Sequence, residues 1–251
     1  MTIYVEQGNE CWGAGEAHPC GTYAQVMGTL TNISLVKNNT KADFYAHWNP
    51  DLVARICYHA KIGHHYAQLI RAVFGDAASR VKFAINMQAA WTGPLEIFYL
   101  CEGEYYKSFD VVGIAPYLSA PLANEDGSLI MNLDDFFNGS TIATAIRQSL
   151  SQLNTTLKLV KQSAPHMSVG LYEAGPDFSS LFDTGNLKLT NLSIFVHRDK
   201  RMYQALKDYI SALTKTDGVS LNMYLHYQSV GTYTKYGCWG LLESSDQKWQ
   251  D

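Results

Sequence analysis

Two glutamates stand where strand-like runs give way to loops. Val5-Glu6-Gln7-Gly8-Asn9-Glu10 closes the first such run, and Gly170-Leu171-Tyr172-Glu173 closes the fourth. In parallel α/β architectures the loops at the carboxyl edge of the sheet converge, so glutamates from separate strand ends can face one cleft. A facing pair is what glycoside hydrolysis requires. One carboxyl protonates the leaving oxygen while the other, ionised, attacks the anomeric carbon. A chain with 23 Asp+Glu also places acids at strand ends without any chemistry attached. The two words therefore need the elements around them.

Other chemistries find less support. The five cysteines (Cys11, Cys20, Cys57, Cys101, Cys238) are too few and too widely spaced for a disulfide scaffold, contain no CxxC pair and leave at least one unpaired. Zinc is not suggested. Cys11 follows Glu10, but no local word pairs it with a histidine. His59, His64 and His65 lie on one long helical stretch without an HExxH spacing and read as a solvated face. Gly13-Ala14-Gly15 lacks the remainder of a dinucleotide fingerprint.

The elements that must position the glutamates alternate in period, as a βαβα chain does. Thr2 to Val5 reads as a strand. Asn49-Pro50-Asp51 starts a helix whose apolar stripe (Leu52, Ile56, Tyr58, Ile62, Tyr66, Leu69, Ile70, Val73) ends at Gly75. Val81 to Met87 is the second strand, Gly93-Pro94 opens a helical turn through Tyr99, and Val111 to Ala115 is a third strand stopped by Pro116. A polar loop from Asn124 to Gly139 precedes a helix from Ser140 to Ser163. Met167 to Tyr172 is the fourth strand, Gly175-Pro176 begins a long loop, Asp199 to Leu213 is a helix, and Ser220 to Tyr227 is the fifth strand. A Gly/Tyr-rich tail follows.

Composition bounds the rest. With 251 residues, 47% hydrophobic and 17% charged, the chain suits a single α/β domain over 1–251. A net charge of -4 leaves no basic surplus for a phosphate backbone, so nucleic acid is not an expected partner. No apolar run reaches the ~18 residues of a spanning helix, and the start of the chain carries no signal-peptide pattern. Neither a membrane nor a self-encoded export signal is expected. Five glycosylation sequons (at Asn32, Asn38, Asn138, Asn154 and Asn191) exceed the number that chance supplies and point to an extracellular or secretory parent protein.

The local words resemble a known family. Asn9-Glu10 after a strand resembles the acid/base signature at strand four of the large retaining (β/α)8 clan of glycoside hydrolases, and Tyr172-Glu173 resembles the nucleophile word at strand seven. Within that clan the chain is similar to a glycosidase-like group whose four marker words read here as Val5-Glu6-Gln7-Gly8-Asn9-Glu10-Cys11-Trp12, Tyr172-Glu173-Ala174-Gly175, Arg198-Asp199-Lys200-Arg201-Met202 and Tyr236-Gly237-Cys238-Trp239-Gly240-Leu241-Leu242-Glu243. The resemblance implies a TIM-barrel fold and retaining hydrolysis of a β-linked glycan. It implies Glu10 as acid/base, Glu173 as nucleophile and Asn9 as the amide that holds the sugar 2-hydroxyl. Tyr117 matches a tyrosine beside the nucleophile, and Trp239 the aromatic floor of the innermost sugar site. Gln88 and His226, at the mouths of their strands, are further candidates for sugar contact. The partner is an oligo- or polysaccharide, and no cofactor or metal is expected.

Two departures stand out. If the first strand is the family's strand four, strands one to three are missing, leaving an incomplete barrel of strands four to eight. Ala174 stands where the strand-seven word has glycine. The alternative reading is accordingly a non-catalytic carbohydrate-binding protein or pseudoenzyme, because aromatic rings (Trp12, Trp91, Tyr117, Trp239) bind sugar without an acid or a base.

Overall fold

The computed structural model describes residues 1–123, 128–130, 132–178, 185–217 and 219–247, with the backbone alone for 219–222. Residues 124–127 of the expected polar loop and 179–184 of the long loop after Pro176 lie outside the described residues. Five strands, β1 (Ile3–Glu6), β2 (Val81–Asn86), β3 (Val111–Ile114), β4 (Ser168–Ala174) and β5 (Val219–His226), form one sheet in the order β1-β2-β3-β4-β5. The sheet is parallel, and with its helices it is compatible with an incomplete α/β barrel. Sequential parallel order is what right-handed βαβ crossovers generate. Ile3 pairs with Val81 in the β1–β2 register, and Ala84 with Val111 in the β2–β3 register.

Helices α1 (Pro19–Leu30), α2 (Thr40–Trp48) and α3 (Pro50–Phe74) precede β2, and α4 (Gly93–Leu100) precedes β3. α5 (Leu133–Asn138) and α6 (Ser140–Ser163) lead to β4, and α7 (Leu187–Arg198) and α8 (Arg201–Thr214) lead to β5. Two short strands, β6 (Gln228–Val230) and β7 (Gly240–Leu242), pair in parallel near the carboxyl end. Local chemistry sets the best-defined starts. The Asn49 side chain accepts from Leu52 N at 3.0 Å with Pro50 at the first helical position, so the longest helix begins where the sequence places it. Asn39 and Asn186 cap α2 and α7 in the same way.

Four helices depart from the expectation. α1 and α2 fill the stretch before Asn49, α5 lies inside the expected polar loop, and α7 occupies part of the expected loop after Pro176. In α1 and α7 apolar residues lie on both faces, with Tyr23, Val26, Leu30, Leu187 and Phe195 exposed. That distribution blurs the 3.6 stripe on which a helix is recognised.

The chain divides into two compact units, one of Met1–Ala115, Thr155–Gly170 and Gly218–Asn222, the other of Pro116–Asn154, Leu171–Asp217 and Met223–Asp251. In the first, Phe83, Phe98 and Phe109 are buried in edge-to-face contact at 5.3 and 5.5 Å. Asp110, just before β3, accepts from Phe83 N at 2.9 Å and from Arg71 at 2.8 Å, tying β2 to the end of α3. α1 crosses α3 at Gly28, where a Cβ would lie 2.1 Å from the Ala54 carbonyl oxygen, so only glycine admits the approach. In the second unit Phe136, Phe178, Val196, Tyr209 and Leu213 are buried.

Two disulfides form, and one cysteine is left unpaired as the odd count requires. Cys11 pairs with Cys20 and Cys57 with Cys101, leaving Cys238 free and buried. The second bridge joins residues 44 positions apart because α3 and the end of α4 lie side by side, a proximity that linear spacing does not reveal. The histidines correct the sequence reading. His65 is exposed, but His64 is half-buried and bonds Ser108 Oγ at 2.6 Å through Nδ1, and His59 faces the interior at 5% exposure.

Candidate active site

The second unit brings four of the sequence candidates together. Glu173 stands near the end of β4, and Tyr117 lies just beyond β3. The Tyr117 hydroxyl donates to Glu173 Oε2 at 2.9 Å. Backbone pairing holds the two strand ends: Leu118 N donates to Gly175 O and Asp177 N to Leu118 O, each at 2.9 Å. Ser149 Oγ donates to the Tyr117 carbonyl at 2.9 Å, and buried Tyr209 donates to the Pro116 carbonyl at 2.7 Å. Tyr117 is thus held through the carbonyls of both peptide groups that flank its Cα. Burial first, and the adjacent Glu173 carboxylate second, push the Tyr117 phenol far above its ordinary range. It stays a neutral donor at any working pH.

His226 ends β5 and Trp239 comes back from the tail to meet it. His226 Nε2 lies 3.2 Å from the Trp239 carbonyl, and Trp239 Nε1 donates to Asp177 Oδ1 at 3.2 Å. Burial depresses the His226 pKa, partly offset by that carbonyl. Gly175, at φ +132, makes room for the imidazole, since a Cβ there would meet His226 Cε1 at 2.7 Å. Tyr227 completes the group, edge-on to Tyr117 at 6.4 Å and to Trp239 at 5.7 Å. The result is two carboxylates, Glu173 held by a fixed phenol donor and Asp177 by the Trp239 indole, beside a wall of aromatic rings, a set suited to holding a polar ligand with a flat apolar face.

Two other words of the sequence meet in this unit. Arg198 holds Glu243 by paired bonds at 2.9 and 2.6 Å, and Asp199 accepts from Arg201 at 2.9 and 2.7 Å. The Arg198-to-Met202 segment and the closing segment are thereby joined.

Asn9, Glu10 and Gln88 belong to the first unit. Glu10 has φ +48, a conformation that costs a side-chain-bearing residue about 1 kcal/mol or more. Its Oε2 lies 3.4 Å from His18 Nδ1, and Asn9 beside it is exposed. The Cys11–Cys20 bridge fastens the loop on which Glu10 sits. Gln88 turns its amide oxygen back on its own loop, accepting from Ala90 N and, at 3.1 Å, from Trp91 N. It shapes the turn that presents Trp91, which is 43% exposed and edge-on to Trp48 at 5.8 Å.

Sequence reasoning missed Asp177, Tyr227 and His18. The signal for Asp177 and Tyr227 was available, since both follow strand-end candidates within a few residues. Nothing local marks His18 as the partner of Glu10.

No protein-family model and no curated protein matches this chain.

Proposed function

We propose that this protein is a retaining glycoside hydrolase for a β-linked glycan, built on strands four to eight of a (β/α)8 barrel, with Glu173 as nucleophile and Glu10 as acid/base. The observation that carries the reading is the Tyr117 hydroxyl at 2.9 Å from Glu173 Oε2, a neutral donor that favours the ionised carboxylate needed for attack. In the first step Glu173 bonds to the anomeric carbon as the leaving oxygen takes the Glu10 proton. In the second, water gives a proton to Glu10 and displaces Glu173, restoring both groups. Asn9, His226 and Trp239 contact the sugar in this reading. The assignment of Glu10 rests on its sequence word and its strained backbone.

Two disulfides and the exposure of all five sequon asparagines support an extracellular or secretory setting. A binding protein without turnover is the second reading. It is favoured by the exposed rings of Phe44, Trp48 and Trp91, where Phe44 and Trp48 stack at 5.9 Å.

One experiment separates the two. On a dinitrophenyl β-glycoside, Glu173→Ala should abolish turnover, and azide should restore it with an α-glycosyl azide as product. Glu10→Ala should keep turning over this activated substrate and give the β-azide. Glycan binding by the wild type without turnover on a panel of such substrates would leave the binding reading standing.

A further inference from the structure

The loop that carries Glu10 is fastened by a cluster that sequence spacing does not announce. The ligand atoms of Cys11, Cys20 and His59 all lie within 4.8 Å of one another. His59, on α3, is buried at 5% exposure, and its Nδ1 has no hydrogen-bond partner among the described residues. Nearly all buried polar atoms find a partner, so its position calls for an account. Gly8 supplies the space: a Cβ there would lie 2.7 Å from both sulfurs, and its φ of +69 excludes most other residues as well. Gln7 Oε1, another buried polar atom without a partner among the described residues, lies against Gly63, one turn along α3 from His59.

We propose that Cys11, Cys20 and His59 form a redox-gated site for a zinc-class divalent ion. A dithiol reductant opens the bridge, each sulfur taking one electron and one proton while the reductant becomes a disulfide. The two thiols then release those protons to solvent as the metal binds. Two thiolates and an imidazole are a ligand set that zinc accepts, with Zn–S of ~2.3 Å and Zn–N of ~2.0–2.1 Å, which places tetrahedral ligand atoms ~3.5–4 Å apart. The 4.8 Å envelope contains that spacing once the sulfurs part. His59 Nδ1, buried and without a hydrogen-bond partner among the described residues, is the imidazole nitrogen left to take the metal. Gln7 offers an oxygen for the fourth position. Oxidised, the bridge ties the loop to α1; metal-bound, the same two sulfurs and His59 tie it to α3 as well, so the site secures Glu10 in both oxidising and reducing surroundings.

Cobalt(II) and zinc titrations of the intact chain, oxidised and phosphine-reduced under argon, test this. The reduced protein should bind one equivalent of cobalt(II), with an intense thiolate charge-transfer band in the near ultraviolet and visible bands of a tetrahedral ion, both erased by zinc. The oxidised protein should show neither. Cys57→Ser/Cys101→Ser should keep the bands, Cys20→Ser should lose them, and His59→Gln should weaken binding at least tenfold. X-ray absorption of the zinc-loaded wild type, which needs no variant, should show two sulfurs at ~2.3 Å and a nitrogen at ~2.0 Å. No metal-dependent band in the reduced wild type, a band that survives Cys20→Ser, or a zinc shell lacking either the two sulfurs or the nitrogen would make the bridge a structural disulfide only and overturn the proposal.

Discussion

Tyr117 has one polar function at this site, the bond to Glu173, and Tyr117→Phe removes it at nearly constant shape. A hydrogen bond to a charged group contributes about 1.5–3 kcal/mol. If Glu173 attacks as a carboxylate, the variant should lose roughly 10- to 100-fold in kcat/KM. The acid limb of the pH–rate profile should also move to higher pH, because the ionised form has lost a donor. Steady-state kinetics across pH on an aryl glycoside checks both, and an unchanged acid limb would detach Tyr117 from the nucleophile. Two buried histidines make a separate pH prediction. Burial lowers both His59 and His197 to about 4, with the Ser193 carbonyl opposing the shift at His197. Between that value and the ~6.5 of an unfolded histidine, the unfolded chain binds more protons. Their stabilisation is therefore complete above pH ~6.5 and is lost as pH falls toward 4. Urea unfolding from pH 7 to 4 should show falling stability, with a shallower slope in His197→Gln. Asp199 acts in a lower window. Its bonds to Arg201 depress its pKa, so its contribution fades only below the ordinary carboxylate range.

Among the elements, the α1–α3 crossing is the sharpest test of packing. Gly28→Leu places a side chain where even a Cβ would meet the Ala54 backbone at 2.1 Å, and backbone cannot yield as a side-chain tip does. Overpacking of this kind costs about 1–3 kcal/mol or more. Gly185→Ala is the control, since nothing among the described residues lies within 4 Å of its Cβ position, and it should fall within about 0.5 kcal/mol of the wild type. Chemical denaturation of both reads the difference. Equal midpoints would mean that the two helices do not cross at Gly28. Helix starts carried by a cap and a proline were legible in the sequence, as at Asn49-Pro50. α1 and α7 were not, because exposed apolar residues removed the contrast between their faces.

At the scale of the whole molecule, the cysteines give a count that can be checked directly. A maleimide probe should label no thiol in the native protein, one after denaturation, when buried Cys238 is released, and all five after denaturation with reduction. Two or more labels on the denatured, unreduced chain would show a missing bridge. Chain-entropy arguments assign the larger stabilisation, about 4 kcal/mol, to Cys57–Cys101, whose loop spans 44 residues, and less to Cys11–Cys20, which spans 9. Cys57→Ala/Cys101→Ala should accordingly lower the unfolding midpoint.

The sequence by itself determined what is local. Period and punctuation located all five strands of the main sheet and the long helices α3 and α6 within a residue or two, and set Glu10 and Glu173 at strand ends. Side-chain partners across the chain were decided by tertiary structure. Tyr117 meets Glu173 across 56 residues, Trp239 meets Asp177 across 62, and Cys57 meets Cys101 across 44. No propensity or spacing reports such contacts, because they exist only once parallel strands have brought their carboxyl ends to one edge and helices have packed on one another. His59 shows the same limit at a single residue. Its helix was legible from the 3.6 stripe, but which face that helix turns inward depends on the sulfurs and strands that cover it.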